Sequence, residues 1–207
     1  MKIEELADRV PENGLFRTGQ ILSGNRQPEH VRRQLDRWVK SGRVVQLRRG
    51  VYKLQKPYVS TGAHPFAIAT VLKKASYVSL QSALSYYGMI PEYVPVTTSV
   101  TTGRPEACDN PLGRFLFRHI SPKRFFGFTE LEVAPSQLAL IASPAKALLD
   151  LLYLTPHSDN PDYLRELRLT EPDGFDREEL GTFVENVGSY KAERAVRHII
   201  ELWKENA

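Results

Sequence analysis

The chain has 207 residues, 42% of them apolar and 10% aromatic, which is enough to bury a core in one or two domains and excludes wholesale disorder. Its net charge of +4 is uneven: residues 1–56 hold thirteen Lys/Arg against six Asp/Glu, whereas residues 57–207 hold fifteen against eighteen. A lone cysteine, Cys108, excludes an internal disulfide and a zinc site built from thiolates, and no apolar run approaches the roughly 20 residues of a membrane span.

In chain order, Ile3, Leu6, Ala7 and Val10 fall at helical spacing, with Pro11 as the stop. Gly14-Leu15-Phe16-Arg17 reads as a short link, and Thr18 as the cap of a brief helix holding Ile21 and Leu22. Ser23-Gly24-Asn25 reads as a turn. The helix Pro28–Lys40 is the best-marked element of this end. Pro28 suits the first helical position, and Glu29 suits the positive end of the dipole. Val31, Leu35, Trp38 and Val39 form one apolar stripe, and Gly42 is placed for a left-handed stop. Val44–Leu47 and Val51–Leu54 read as strands joined at Arg48-Arg49-Gly50. Helix, short helix, helix, hairpin is the order of a winged helix-turn-helix, assigned to residues 1–56. Residues 57–63, from Pro57 to Ala63, read as a linker.

From His64 to Ala207 the pattern is α+β. Helices are expected at Phe66–Leu72 and at Leu80–Tyr87, the latter capped by Ser79 and stopped by Gly88. Strands are expected at Val96–Thr102, Gly113–Ile120, Phe125–Val133 and Leu138–Ile141. Helices follow at Ala145–Leu154, Pro161–Leu169, Arg177–Asn186 and Lys191–Glu205. The strands are bunched and the helices follow, without the βαβ alternation of a parallel sheet.

Residues 26–56 carry ten Lys/Arg against two acids. At about 100° per residue, His30, Arg33, Gln34 and Arg37 cluster away from the apolar stripe of Pro28–Lys40. With Gln27 they are the candidate base contacts, since Arg pairs with guanine and Gln with adenine in the major groove. Arg26, Lys40, Arg43, Arg48, Arg49 and Lys53 are the candidate phosphate and wing contacts. The bland alternative is a solvated basic face, and the rival partner is an acidic protein rather than duplex DNA.

Other motifs are silent on catalysis. Lys146 and Asp150 stand four apart on an apolar helix, the spacing of a structural ion pair as much as of a catalytic one. Glu171, Asp173, Asp176, Glu178 and Glu179 fit no Ca²⁺ loop. His64, His119, His157 and His198 lack zinc-site spacing, and Cys108 falls in an expected loop with no base assigned to it. Phe125-Phe126-Gly127-Phe128 reads as core, with an exposed partner patch as the alternative. No Gly-rich phosphate cradle and no nucleophile elbow occur. No catalytic residue, metal or cofactor is assigned, and a nucleic-acid-processing enzyme is the rival class.

Several segments together carry a family likeness. Phe16, Leu35, Val39, Gly42-Arg43-Val44-Val45 and Arg49-Gly50-Val51-Tyr52 resemble the N-terminal part of AbiEi-type antitoxins, the regulatory half of type IV toxin–antitoxin pairs. Tyr77–Leu84, Tyr87–Pro91, Thr98–Thr101, Phe117–Ile120 and Ile141–Asp150 resemble later segments of that family. The resemblance implies a regulator that binds its own promoter as duplex operator DNA and counters a nucleotidyltransferase-like toxin. The expectation is a cytoplasmic protein with no membrane partner, which could pair as a homodimer on DNA; Met1-Lys2-Ile3-Glu4-Glu5 lacks the layout of a signal peptide.

Overall fold

The chain opens with helix α1 (Ile3–Ala7), which buries Ile3 and Leu6. The computed structural model describes residues 2–22 and 28–205; the turn expected at Ser23-Gly24-Asn25, together with Arg26 and Gln27, lies outside the described residues. What reads as a link after α1 is a strand, β1 (Leu15–Arg17). It forms because Leu15, Phe16 and Arg17 find a partner far away in sequence, in β3 (Val51–Leu54), through the antiparallel register Phe16↔Tyr52. Helix α2 (Thr18–Leu22) follows. Its entry is held by Gln20, whose Oε1 accepts from the Arg17 amide at 2.6 Å, while the Thr18 amide donates to the Gly50 carbonyl.

Helix α3 (Pro28–Lys40) has the expected bounds. It ends as its sequence requires: Gly42 takes φ +71°, its amide donates to the Val39 carbonyl, and the Arg43 amide donates to the Trp38 carbonyl. That pair of bonds satisfies carbonyls the last turn leaves open. The chain then reverses into β2 (Val44–Arg48), antiparallel to β3, with a register shift between Gln46 and Arg48. The sheet order is β1-β3-β2.

Strand alternation gives this small sheet two working faces. Phe16, Val44 and Leu54 face a core built with Ile3, Leu6, Ile21, Val31, Leu35 and Trp38. Leu15, Leu47 and Val51 belong instead to the larger core formed with residues 67–203. The sheet is therefore a wall shared by two apolar clusters, a consequence the linear pattern does not carry.

The remainder is mixed α+β. Helix α4 (Pro65–Leu72) leads to β4 (Ser76–Val78), α5 (Leu80–Tyr86) and β5 (Val96–Thr101). Strands β6 (Glu106–Asn110), β7 (Gly113–His119), β8 (Phe128–Ala134) and β9 (Gln137–Ala142) complete one sheet of order β6-β7-β5-β4-β9-β8. Two of its five pairings, β5–β7 and β4–β9, are parallel. Helices α6 (Pro144–Leu154), α7 (Pro161–Glu166), α8 (Arg177–Val187) and α9 (Tyr190–Glu205) follow. Strands β4 and β6 depart from the sequence reading. Cys108 sits in an edge strand, not a loop, because Glu-Ala-Cys-Asp-Asn has no apolar alternation yet pairs residue by residue with Gly113–Phe117.

Residues 57–63 do not hang free. Val59 is buried in the smaller core. The buried Gln137 side chain donates to the Gly62 carbonyl at 2.8 Å and accepts from the His64 amide at 2.7 Å and from Asn13 Nδ2 at 3.3 Å. The phenylalanine cluster packs inward: Phe128 stacks on Tyr77 with ring centroids 4.5 Å apart, and Phe126 meets Phe183 edge-on at 5.1 Å.

Candidate nucleic-acid interface

Helix α3 buries Val31, Leu35 and Trp38 and half-buries Val39, so its register is fixed by one stripe. That leaves His30, Arg33, Arg37 and Lys40 exposed and Gln34 half-exposed on the opposite side. All are donors, and Arg33, Arg37 and Lys40 have no ion-pair partner among the described residues. On the flank, Arg32 is held by Glu29 in an i,i+3 ion pair, so it adds little free charge. Arg43, just past the helix, and Arg49, at the hairpin turn, are also exposed. The donor face of α3 therefore runs from His30 past Arg33 and Arg37 to Lys40. Gln27 and Arg26 lie outside the described residues.

Two candidate phosphate contacts do not stand where the sequence reading puts them. Lys53 is buried, 7% exposed, and its Nζ donates to the Leu54 carbonyl at 3.3 Å. The cause is its position on the central strand, paired with Leu15 and Val45 on the sheet face turned to the larger core. Burial lowers its pKa below the ordinary lysine value. Arg48 is the second case. Its NH1 donates to the Leu72 carbonyl at 3.1 Å and to Glu106 Oε1 at 3.1 Å, and its NH2 reaches Glu106 Oε2 at 3.5 Å. It faces the edge strand β6 instead of standing free at the hairpin tip.

Glu106 collects more than one cation. Lys73 Nζ donates to its Oε1 at 2.6 Å and to the Arg104 carbonyl at 2.8 Å. These bonds, Lys73 first, hold the Glu106 carboxyl below its ordinary pKa. Arg17 lies close by, its NH2 donating to the Val71 carbonyl at 2.5 Å; burial, then the charge of Arg48, lowers its pKa. Arg49 and Lys74, next in the chain to Arg48 and Lys73, are exposed, as is Arg104. The sequence reading missed Arg17, Lys73 and Glu106 as a cluster. Lys73 and Glu106 lie 33 positions apart and only the folded sheet joins them, so no sequence signal marks them.

The other candidates resolve into structure. Lys146 and Asp150 form an ion pair at 0% and 1% exposure. Asp150 Oδ2 also accepts from Tyr77 OH at 2.9 Å and from Ser79 Oγ at 2.8 Å. Ser79 therefore spends its hydroxyl here and makes no side-chain cap on α5. Asp176 caps α8 by accepting from the Glu179 amide, and Glu171 binds Arg177 through both oxygens at 2.6 Å. His64 caps α4 through Nδ1. Among the described residues no cluster of three or more His, Cys, Asp or Glu could hold a metal. No described helix is long and apolar enough to cross a membrane.

Comparison with known proteins bears on both ends of this picture. No curated protein matches the chain. The crystal structure of the RV2827C protein from Mycobacterium tuberculosis is similar to it with a TM-score of 0.55 and 16% identity, over 95% of this chain and 74% of that one. At that identity the likeness is one of fold. The match of family lies at the basic end and stops before the segments from Tyr77 onward: residues 1–55 match the family described as transcriptional regulator, AbiEi antitoxin.

Proposed function

We propose that the chain is a sequence-specific DNA-binding transcriptional regulator, not an enzyme, and that residues 1–56 are a winged helix-turn-helix. The order α1-β1-α2-α3 with the β2–β3 hairpin supports that assignment. In this reading α3 enters the major groove. His30, Arg33, Gln34 and Arg37, with Gln27, meet base edges, and Lys40, Arg43, Arg49 and Arg26 take phosphates. The observation that carries it is the exposed donor face, without ion-pair partners among the described residues, of a helix whose other side is locked in a core. The match of residues 1–55 to an antitoxin regulator family extends the proposal to a cytoplasmic antitoxin that represses its own promoter and acts beside a toxin, binding its operator as a homodimer.

The test is duplex binding followed as a function of salt. Log affinity should fall linearly with log salt, by about 0.9 per phosphate neutralised. Arg33→Ala with Arg37→Ala should cost about 1–3 kcal/mol per lost base contact and narrow the gap between operator and mixed-sequence DNA. Unchanged affinity and preference in that double variant would remove α3 from the interface. Flat binding by the wild type at low salt would favour a protein partner for the basic face.

A further inference from the structure

Five groups in the fold can be weighed for a role beyond the α3 face. The buried Lys146–Asp150 pair has its oxygens taken and no opening to solvent. The groove between α7 and the β5–β7 face, about 590 Å³, is lined by Leu80, Ile90, Val96, Leu116, Arg118 and Tyr163, with nothing to specify an occupant. A second groove of about 790 Å³ lies along α9 beside Trp203, with its nearby arginines Arg165 and Arg168 already paired to Asp162 and Glu92. Cys108 Sγ donates to the Leu47 carbonyl at 3.8 Å and accepts from Asn110 Nδ2 at 3.9 Å, contacts within the sheet edge that mark no site. The seam between the hairpin and β6 is different, because it places one carboxylate among cations that two parts of the chain supply.

We propose that Glu106 occupies the place of a nucleic-acid phosphate in this seam, and that duplex DNA displaces it from Arg48 and Lys73 when the regulator binds. The inference rests on the DNA-binding reading of α3. Glu106 presents two oxygens to Arg48 at 3.1 and 3.5 Å and shares one of them with Lys73 at 2.6 Å. A phosphate offers the same forked acceptor to a guanidinium. Arg17 stands beside Arg48, and Arg48 and Lys73 alone outnumber the one carboxylate, so the seam keeps an excess of positive charge even with Glu106 in place. The ion pairs are within reach of solvent, with side chains 35% and 30% exposed for Arg48 and Glu106. Arg49, next in the chain to Arg48, already faces outward, so DNA gripping the hairpin tip would bring its backbone to the carboxylate. Glu106 would then act as a built-in competitor whose displacement lowers the affinity for any duplex that reaches the hairpin tip.

The experiment compares full-length wild type, Glu106→Gln and Glu106→Asp on a mixed-sequence duplex over a salt series, with thermal melting as the check of fold. Glu106→Gln is expected to bind about two- to fivefold tighter at low salt and with a steeper salt slope. Glu106→Asp keeps the charge and should bind as the wild type does. Adding Arg48→Gln and Lys73→Gln to Glu106→Gln should abolish the gain. The proposal fails if Glu106→Gln melts like the wild type without binding tighter, if Asp behaves like Gln, or if the gain survives loss of both cations. Should Glu106→Gln not fold, Arg48→Gln with Lys73→Gln decides: weaker binding with a shallower slope supports displacement, and an unchanged slope overturns it. A wild type that ignores salt and tolerates Arg33→Ala with Arg37→Ala would instead sink the DNA-binding reading itself. A wild type sensitive to both, with an inert Glu106→Gln, sinks only the displacement.

Discussion

Asp150 shows how much one buried carboxylate can organise. It gathers Lys146 from its own helix and Tyr77 and Ser79 from β4 and the start of α5, all at the centre of the larger core. Burial pushes its pKa up, and the lysine opposes that shift. Removing the lysine alone, as Lys146→Met, strands the carboxylate and should cost about 3–5 kcal/mol in a denaturant titration. A carboxyl whose folded pKa is raised holds its proton to higher pH in the folded state than in the unfolded chain. Stability from that group is therefore fullest below the unfolded value near 3.8 and lost as pH rises. The deficit of Lys146→Met against wild type should accordingly widen as pH rises above the unfolded value near 3.8. A deficit independent of pH would show that the lost ammonium matters only through packing.

At the scale of elements, α3 was legible because three independent signals agree on it: proline at its start, a four-residue stripe, and glycine past its end. Strand β1 was not, since three residues between the turn ending at Gly14 and helix α2 show no period, and it exists only through pairing with β3. Two glycines separate local from tertiary demands. Gly42 takes φ +71° with open space around a would-be Cβ, so Gly42→Ala should cost only the left-handed strain, about 1 kcal/mol. Gly14 takes φ +73°, and a Cβ there would lie 2.9 Å from the Leu54 carbonyl and 2.6 Å from Val59. Gly14→Ala should therefore destabilise clearly more than Gly42→Ala in equilibrium unfolding. Equal losses would mean that the turn before β1 can move away from β3 without penalty.

Across the whole molecule, the sequence separates a basic end from a mildly acidic body, and charge alone suggests an address module on a loose linker. The structure joins them more tightly. The three-stranded sheet buries Leu15, Leu47 and Val51 against the body, Gln137 fastens residues 57–63, and Glu106 holds Arg48. Part of the candidate site was misread for the same reason. Alternation on a short strand says which residues share a face, but not that a second core covers that face, and so Lys53 and Arg48 looked free. Residues 1–56 made alone should expose those three apolar side chains, melt at lower temperature than the same segment within the full chain, and self-associate. An isolated segment as stable and monomeric as the full chain would contradict the shared wall.

The central claim is that α3 presents the DNA-reading face, and mapping backbone amide NMR shifts while titrating duplex DNA into the full chain addresses it most directly. The expected result is a contiguous set of shifts at His30, Arg33, Gln34 and Arg37, continuing to Arg43 and Arg49, with α7 to α9 unmoved. Shifts confined to α7 to α9, or none along α3 at saturating duplex, would contradict it.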